Sequence, residues 1–217
     1  MSQIKSKKRV ADHGEVFTSA REINAMLDLV NQETENIEST FLEPACGSGN
    51  FLSEILSRKL NVVRERYRKN QLEYERYAFI AVSSIYGIEL LEDNVKECKS
   101  NLFQLFSTHY KTIFKKNCKD KLLKSIKYIL EKNIICGDAL TLNTTNLNPT
   151  PITFSQWSSL GSNKIKRKDF CYKSMINQTS PSELQLFSDL GEVQYIPTPV
   201  KDYPPLHFLY ISDAESN

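Results

Sequence analysis

Apolar residues fall into two rhythms along the first two thirds of the chain. Ser19, followed three residues later by Glu22, fits a capping box, and Ile23, Met26, Leu27 and Val30 then recur at helical spacing. The polar stretch Asn31–Ser39 closes that unit, and the first dozen residues are polar enough to be expected mobile. Thr40-Phe41-Leu42-Glu43 reads as a short buried strand entering the turn Cys46-Gly47-Ser48-Gly49. A helix opens at Asn50 with Phe51, Leu52, Ile55 and Leu56 inward, and the charged run Arg58–Tyr77 continues it with a break near Asn70. Ile85–Ile88 predicts a strand ending on Glu89. Leu91, Val95, Cys98, Leu102 and Phe106 mark the next helix, and Leu122, Leu123, Ile126, Ile129 and Leu130 another, before the strand Ile134–Cys136.

Strand and helix thus alternate three times, which argues an α/β fold with a parallel sheet and helices on its faces. After Leu140 the periodicity is lost. A Pro- and Asn-rich loop (Asn143–Pro151), a hairpin around Phe154–Phe170, a short helix near Glu183–Leu190 and several prolines between Pro197 and Pro205 are expected there. The organisation expected is an N-terminal helical segment (1–38), an α/β core (39–142) and an irregular C-terminal extension (143–217).

Composition adds mainly exclusions. The 217 residues are 40% apolar, enough for one sizeable domain. No apolar run is long enough to cross a bilayer and the start lacks a signal peptide's apolar core, so a soluble, cytoplasmic protein is expected. Five cysteines without a C-x-x-C pair and three scattered histidines give no metal constellation. The net charge of +2 says little about nucleic acid. Basic runs at Arg58–Arg76 and Lys111–Lys132 read as solvated helix faces, whereas the compact knot Lys164, Lys166, Arg167 and Lys168 is a candidate phosphate contact.

The chemistry sits at the strand ends. In an open parallel sheet, ligands bind where the carboxyl ends of strands meet loops and helix N-termini. The first strand gives Glu43-Pro44-Ala45-Cys46-Gly47-Ser48-Gly49-Asn50-Phe51-Leu52, whose glycines let backbone approach a ligand. A dinucleotide fingerprint wants a third glycine where Leu52 stands, and Glu43 would repel a pyrophosphate, so an NAD-dependent oxidoreductase is disfavoured. A ligand with a positive end suits Glu43 better. Glu89 can accept from both ribose hydroxyls, and Asp138, in Gly137-Asp138-Ala139-Leu140, can accept from an adenine amine. Glu89 alone could equally be a solvated strand-end residue. Three acidic strand ends in order after one glycine turn make a nucleoside pocket.

Glu43–Leu52 resembles the S-adenosylmethionine (SAM)-binding motif of N6-adenine DNA methyltransferases, an acidic residue, Pro-x-x-Gly-x-Gly and an aromatic. His13-Gly14-Glu15-Val16-Phe17-Thr18 is similar to the segment preceding that motif, which folds over the methionine end of SAM. The resemblance covers about residues 10–215, in the manner of modification subunits of restriction-modification systems. It implies a Rossmann-like class I SAM-dependent methyltransferase fold, here incomplete, with DNA as partner. Phe17 and Thr18 would line the pocket beside Glu43, Pro44, Ala45, Gly47, Gly49 and Asn50. Glu89 would take the ribose and Asp138 the adenine, flanked by Leu90 and Ala139.

The resemblance also implies an Asp/Asn/Ser-Pro-Pro-aromatic motif that holds the flipped adenine, and the chain lacks it. Asn148-Pro149-Thr150-Pro151 has no adjacent aromatic, and Tyr203-Pro204-Pro205-Leu206 has neither the amide or carboxylate nor the stacking ring in place. No catalytic residue is therefore assigned. The chain is expected to be a fragment, a truncated product or one piece of a split enzyme, completed by another methyltransferase segment or accompanied by a specificity subunit. The alternative is a non-catalytic SAM-binding or partner-binding module.

Overall fold

A computed structural model of the chain describes residues 6–13, 15–16, 18–177, 186–187, 193–194 and 198–213. Part of the polar N-terminal segment is helical. A helix α1 (Lys7–His13) is tied down because the Arg9 guanidinium pairs with Glu15 and, at 2.5 Å, with Asp93. Helix α2 (Ala20–Asp28) carries the expected capping box between Ser19 and Glu22, and a short α3 (Asn31–Glu35) occupies part of the polar stretch after it.

The sheet follows. Strand β1 (Phe41–Glu43) leads through the glycine turn into α4 (Asn50–Tyr67). The helix breaks where expected, and Asn70 caps α5 (Gln71–Ser83) by accepting from the Glu73 N–H at 3.3 Å. Strand β2 (Ile85–Glu89), α6 (Glu92–Phe114), α7 (Asp120–Asn133) and β3 (Ile134–Asp138) complete the alternation. The pairings β1–β2 and β2–β3 are parallel, in the registers Phe41 to Ile85 and Gly87 to Ile134. A two-residue β4 (Asn143–Thr144) turns back antiparallel on Gly137 and Asp138, so the order is β1-β2-β3-β4 with β1 at the edge. This is a mixed α/β fold with a mostly parallel four-stranded sheet.

Side chains alternate across the sheet as the pleat requires. Ile85 joins Leu52, Leu56, Leu60, Phe79, Leu102, Phe106 and Ile126 in the main core under the helices, while Tyr86 and Ile88 face the other way onto Ile152 and Phe154. That second face is covered by a hairpin, β5 (Thr153–Ser159) and β6 (Lys164–Cys171), antiparallel as expected from the sequence. It continues into α8 (Tyr172–Asn177). Of the helix expected near Glu183–Leu190, only Leu186 and Phe187 are described; they form a strand, β7 (Leu186–Phe187), paired with β8 (Val193–Gln194). Two short strands, β9 (Lys201–Asp202) and β10 (Leu206–His207), flank β6. A final 3-10 turn (Phe208–Asp213) buries Phe208 and Ile211 in the main core. The described residues after 142 are thus less irregular than the lost periodicity suggests, because short antiparallel strands and aromatic anchors replace long periodic helices.

One buried charge ties the amino ends of the strands together. Lys59 is fully buried, and its Nζ donates to the Ser39 carbonyl, to Ser84 Oγ at 2.6 Å and to the Ile37 carbonyl at 3.3 Å. Burial pushes its pKa down to about 7, whereas an unfolded lysine titrates near ~10.4. Between those values the unfolded chain binds the proton that the folded chain has released, so stability rises with pH. Urea unfolding of the native chain and Lys59→Met should show their difference moving towards the native chain by about 2 kcal/mol from about pH 7 to 9. A difference that does not move would mean the ammonium keeps an ordinary affinity for its proton.

Candidate functional site

The carboxyl ends of β1, β2 and β3 open into a cleft of about 720 Å³, within the range of small-molecule sites. Its floor is the turn after β1. Gly47 and Gly49 adopt positive φ, 52° and 85°, which only glycine tolerates without strain. The turn is fixed from several sides. Gly49 N–H donates to the Cys46 carbonyl at 2.8 Å, Cys46 N–H to the Ile88 carbonyl at 3.0 Å, and Asn101 on α6 donates to the Ser48 carbonyl at 3.0 Å.

Glu89 organises the middle of the cleft. The residue is 8% exposed, and its Oε2 accepts from Gly47 N–H at 2.9 Å while its Oε1 accepts from Leu91 N–H at 2.9 Å. A carboxylate has about four acceptor positions, so capacity for a ligand remains. Glu43, at the end of β1, accepts from Ala45 N–H at 3.3 Å. At the end of β3 the Leu140 N–H bonds Asp138 Oδ1 at 2.8 Å and holds that carboxyl below the usual range, so it is ionised.

The structure brings Thr18, Glu43, Pro44, Ala45, Gly47, Asn50, Glu89, Leu90, Asp138 and Ala139 into the lining of this one cleft. Phe17 lies outside the described residues. Gly49 does not line it; it is the N-cap of α4 and packs against Cys98 beneath. Sequence reasoning quoted Glu15, Val16 and Phe51 within the two SAM-related segments without assigning them to the lining, took Ile23, Met26 and Leu91 only as helix positions, and missed Asn94. Met26 is 54% exposed whereas Ile23 and Leu27 of the same apolar stripe are buried, a split that spacing alone does not show. Asn94 carried no signal, being a polar residue in a charged run.

Four carboxylates, Glu15, Glu43, Glu89 and Asp138, line the cleft, and no lysine, arginine or histidine does so among the described residues. Such a field favours a cationic group and opposes a polyphosphate. Cys46 also lines it, but its thiol is pushed up by hydrogen bonding with the Cys98 thiol and by burial, so it is not a thiolate nucleophile.

The basic knot is divided by the strand it lies on. Arg167 points inward, 6% exposed, against Asp169 (2.8 Å), Ser155 Oγ (3.0 Å) and the Tyr203 ring (4.2 Å). The expectation that Arg167 contacts phosphate is corrected: its fork is spent on Ser155, Asp169 and the Tyr128 hydroxyl, and its face lies over the Tyr203 ring. Lys166 pairs with Asp202 at 3.0 Å, Lys168 faces Asp202 across the ladder, and Lys164 is exposed. Neither proline segment lines the cleft; the Tyr203 hydroxyl donates to Asp169 at 3.0 Å. Among the described residues no helix is long and apolar enough to cross a membrane, and no three His, Cys, Asp or Glu side chains form a metal site.

The family model of the MmeI DNA-methyltransferase domain matches residues 17–160, which takes in the glycine turn and all three acidic strand ends. No curated protein and no solved structure matches the chain.

Proposed function

The chain belongs to the MmeI DNA-methyltransferase domain family, and from that premise we propose that it is the SAM-holding part of an adenine-N6 DNA methyltransferase with a Rossmann-like class I core. The observation that carries this reading is the convergence of Glu43, Glu89 and Asp138 with the Gly47 turn on one cleft without a basic lining residue. The residues fit the cofactor. Glu43 would face its cationic methionine end, Glu89 would accept from the ribose hydroxyls, and Asp138 would accept from the adenine amine between Leu90 and Ala139. Thr18 and Phe17 would close over the methionine end.

Bound SAM would supply an activated methyl: the acceptor nitrogen would bond the methyl carbon as its bond to the sulfonium sulfur breaks and a neutral thioether leaves. This chain's residues contribute by orientation, since fixing donor and acceptor in one geometry removes much of the entropic barrier. The acceptor adenine needs groups that this chain lacks, because no Asp/Asn/Ser-Pro-Pro-aromatic motif occurs in it. A complementing methyltransferase segment would supply them.

The sheet supports that arrangement. Among the described residues the outer edge of β1 carries no strand. Apolar grooves run along both faces of that edge, one with Met26, Val30 and Phe51, the other with Tyr86, Phe154 and Met175, and Leu42 lines both. A strand apolar on both faces would pair there, beside the glycine turn. DNA is the macromolecular partner in this reading. The missing motif also favours a second reading, a SAM-binding module without catalysis, which methylation assays with and without a complementing segment would separate.

Titration calorimetry with SAM and, in parallel, NAD tests the cofactor. Micromolar binding of SAM with no heat from NAD is expected; equal binding of both, or of NAD alone, overturns the reading. The chain alone should not methylate duplex DNA, and turnover without a partner would refute the need for a complementing segment.

A further inference from the structure

Asn94 is 1% exposed in the first turn of α6, among charged neighbours. Its amide Nδ2 donates to Glu15 Oε1 at 2.6 Å and stands 3.4 Å from Glu89 Oε1. Glu15 belongs to the segment that walls the cleft, and Glu89 holds the Gly47 N–H at 2.9 Å. On the far side Arg9 bonds Glu15 Oε1 at 3.0 Å and Asp93 at 2.5 Å. A continuous polar path therefore runs from α1 through Arg9, Glu15, Asn94 and Glu89 to the glycine turn.

Two carboxylates meeting at one buried site repel unless a donor lies between them. Asn94 is that donor. Arg9 adds a positive charge at the outer end, although it does not line the cleft. We infer that Asn94 is a positioning residue that couples the N-terminal segment to the glycine turn, with Arg9 as its outer latch. The wall of the cleft and its floor are thereby ordered together. This inference rests on the SAM reading for its ligand and on the hydrogen-bond path for its coupling, and the two can fail separately.

The test compares Asn94→Asp, Asn94→Ala and Arg9→Gln by SAM titration and by hydrogen exchange of the Gly47 and Leu91 amides without ligand. Asn94→Asp keeps the shape and replaces the donor by a third carboxylate. It should lose at least about tenfold in SAM affinity and lose more than Asn94→Ala, an order that a packing role cannot produce. Both variants should exchange the Gly47 amide about tenfold faster. Arg9→Gln should weaken SAM about threefold with an unchanged thermal midpoint. Native-like affinity and exchange in Asn94→Asp, or Asn94→Asp no worse than Asn94→Ala, would overturn the coupling. If the native chain takes up no SAM, the cofactor reading fails while the Gly47 and Leu91 exchange rates still decide the coupling. If the Asn94 variants do not fold, Arg9→Gln decides it by the same rates, faster exchange supporting it and unchanged exchange overturning it.

Discussion

Glu89→Ala should lower the affinity for SAM by at least about a hundredfold, equivalent to roughly 2.7 kcal/mol. The loss has two sources. The cofactor would forfeit charge-assisted hydrogen bonds from its ribose, each contributing roughly 1.5–3 kcal/mol. The cleft would forfeit its internal tie as well, since Glu89 receives the N–H groups of Gly47 and Leu91, both at 2.9 Å. Released, the glycine turn no longer presents a fixed backbone. Glu89→Gln separates the two contributions. Its amide oxygen can still accept, but its NH₂ would oppose one backbone N–H, so an intermediate affinity is expected. Unchanged SAM binding in Glu89→Ala would remove the residue from the pocket, and with it the nucleoside assignment.

Much of this geometry was legible in the sequence for a physical reason. Strand ends in a parallel sheet are fixed by the alternation of apolar runs, so the sequence alone aligns Glu43, Glu89 and Asp138 at the carboxyl end of the sheet. The capping box at Ser19 and the break at Asn70 were legible too, because capping is a local interaction between side chain and backbone over three residues. What escaped was long-range. Arg9 reaches Asp93 across 84 residues, and Asn94 reaches Glu15 across 79; neither pairing leaves a periodic trace. Arg167 shows the same limit. In the sequence it belongs to a run of four basic residues, but a strand sends alternate residues to opposite faces, and only burial shows which of them faces the core. The C-terminal stretch misled because its order comes from pairs such as Arg167–Tyr203 and from Phe208 on Phe79 rather than from repeated spacing.

Gly49→Ala should destabilise the chain by about 2–5 kcal/mol, from two independent causes. Gly49 sits at φ 85°, where an L side chain costs roughly 1–2 kcal/mol. An added Cβ would also lie 2.6 Å from Cys98 Sγ on α6, an overlap that costs roughly 1–3 kcal/mol in a packed core. Cys98 is fully buried, so it has little room to retreat. The backbone contribution and the packing contribution separate in a double-mutant cycle with Cys98→Ala. In that background the overlap disappears and the left-handed strain remains, so Gly49→Ala should cost about 1–3 kcal/mol less than in the native chain. Urea unfolding of the four proteins measures it. An equal cost in both backgrounds would show that α6 gives way freely beneath the turn. A smaller cost would show that the close packing of α4 on α6 adds to the left-handed conformation in requiring glycine here, so that the fold itself fixes the second glycine of the motif.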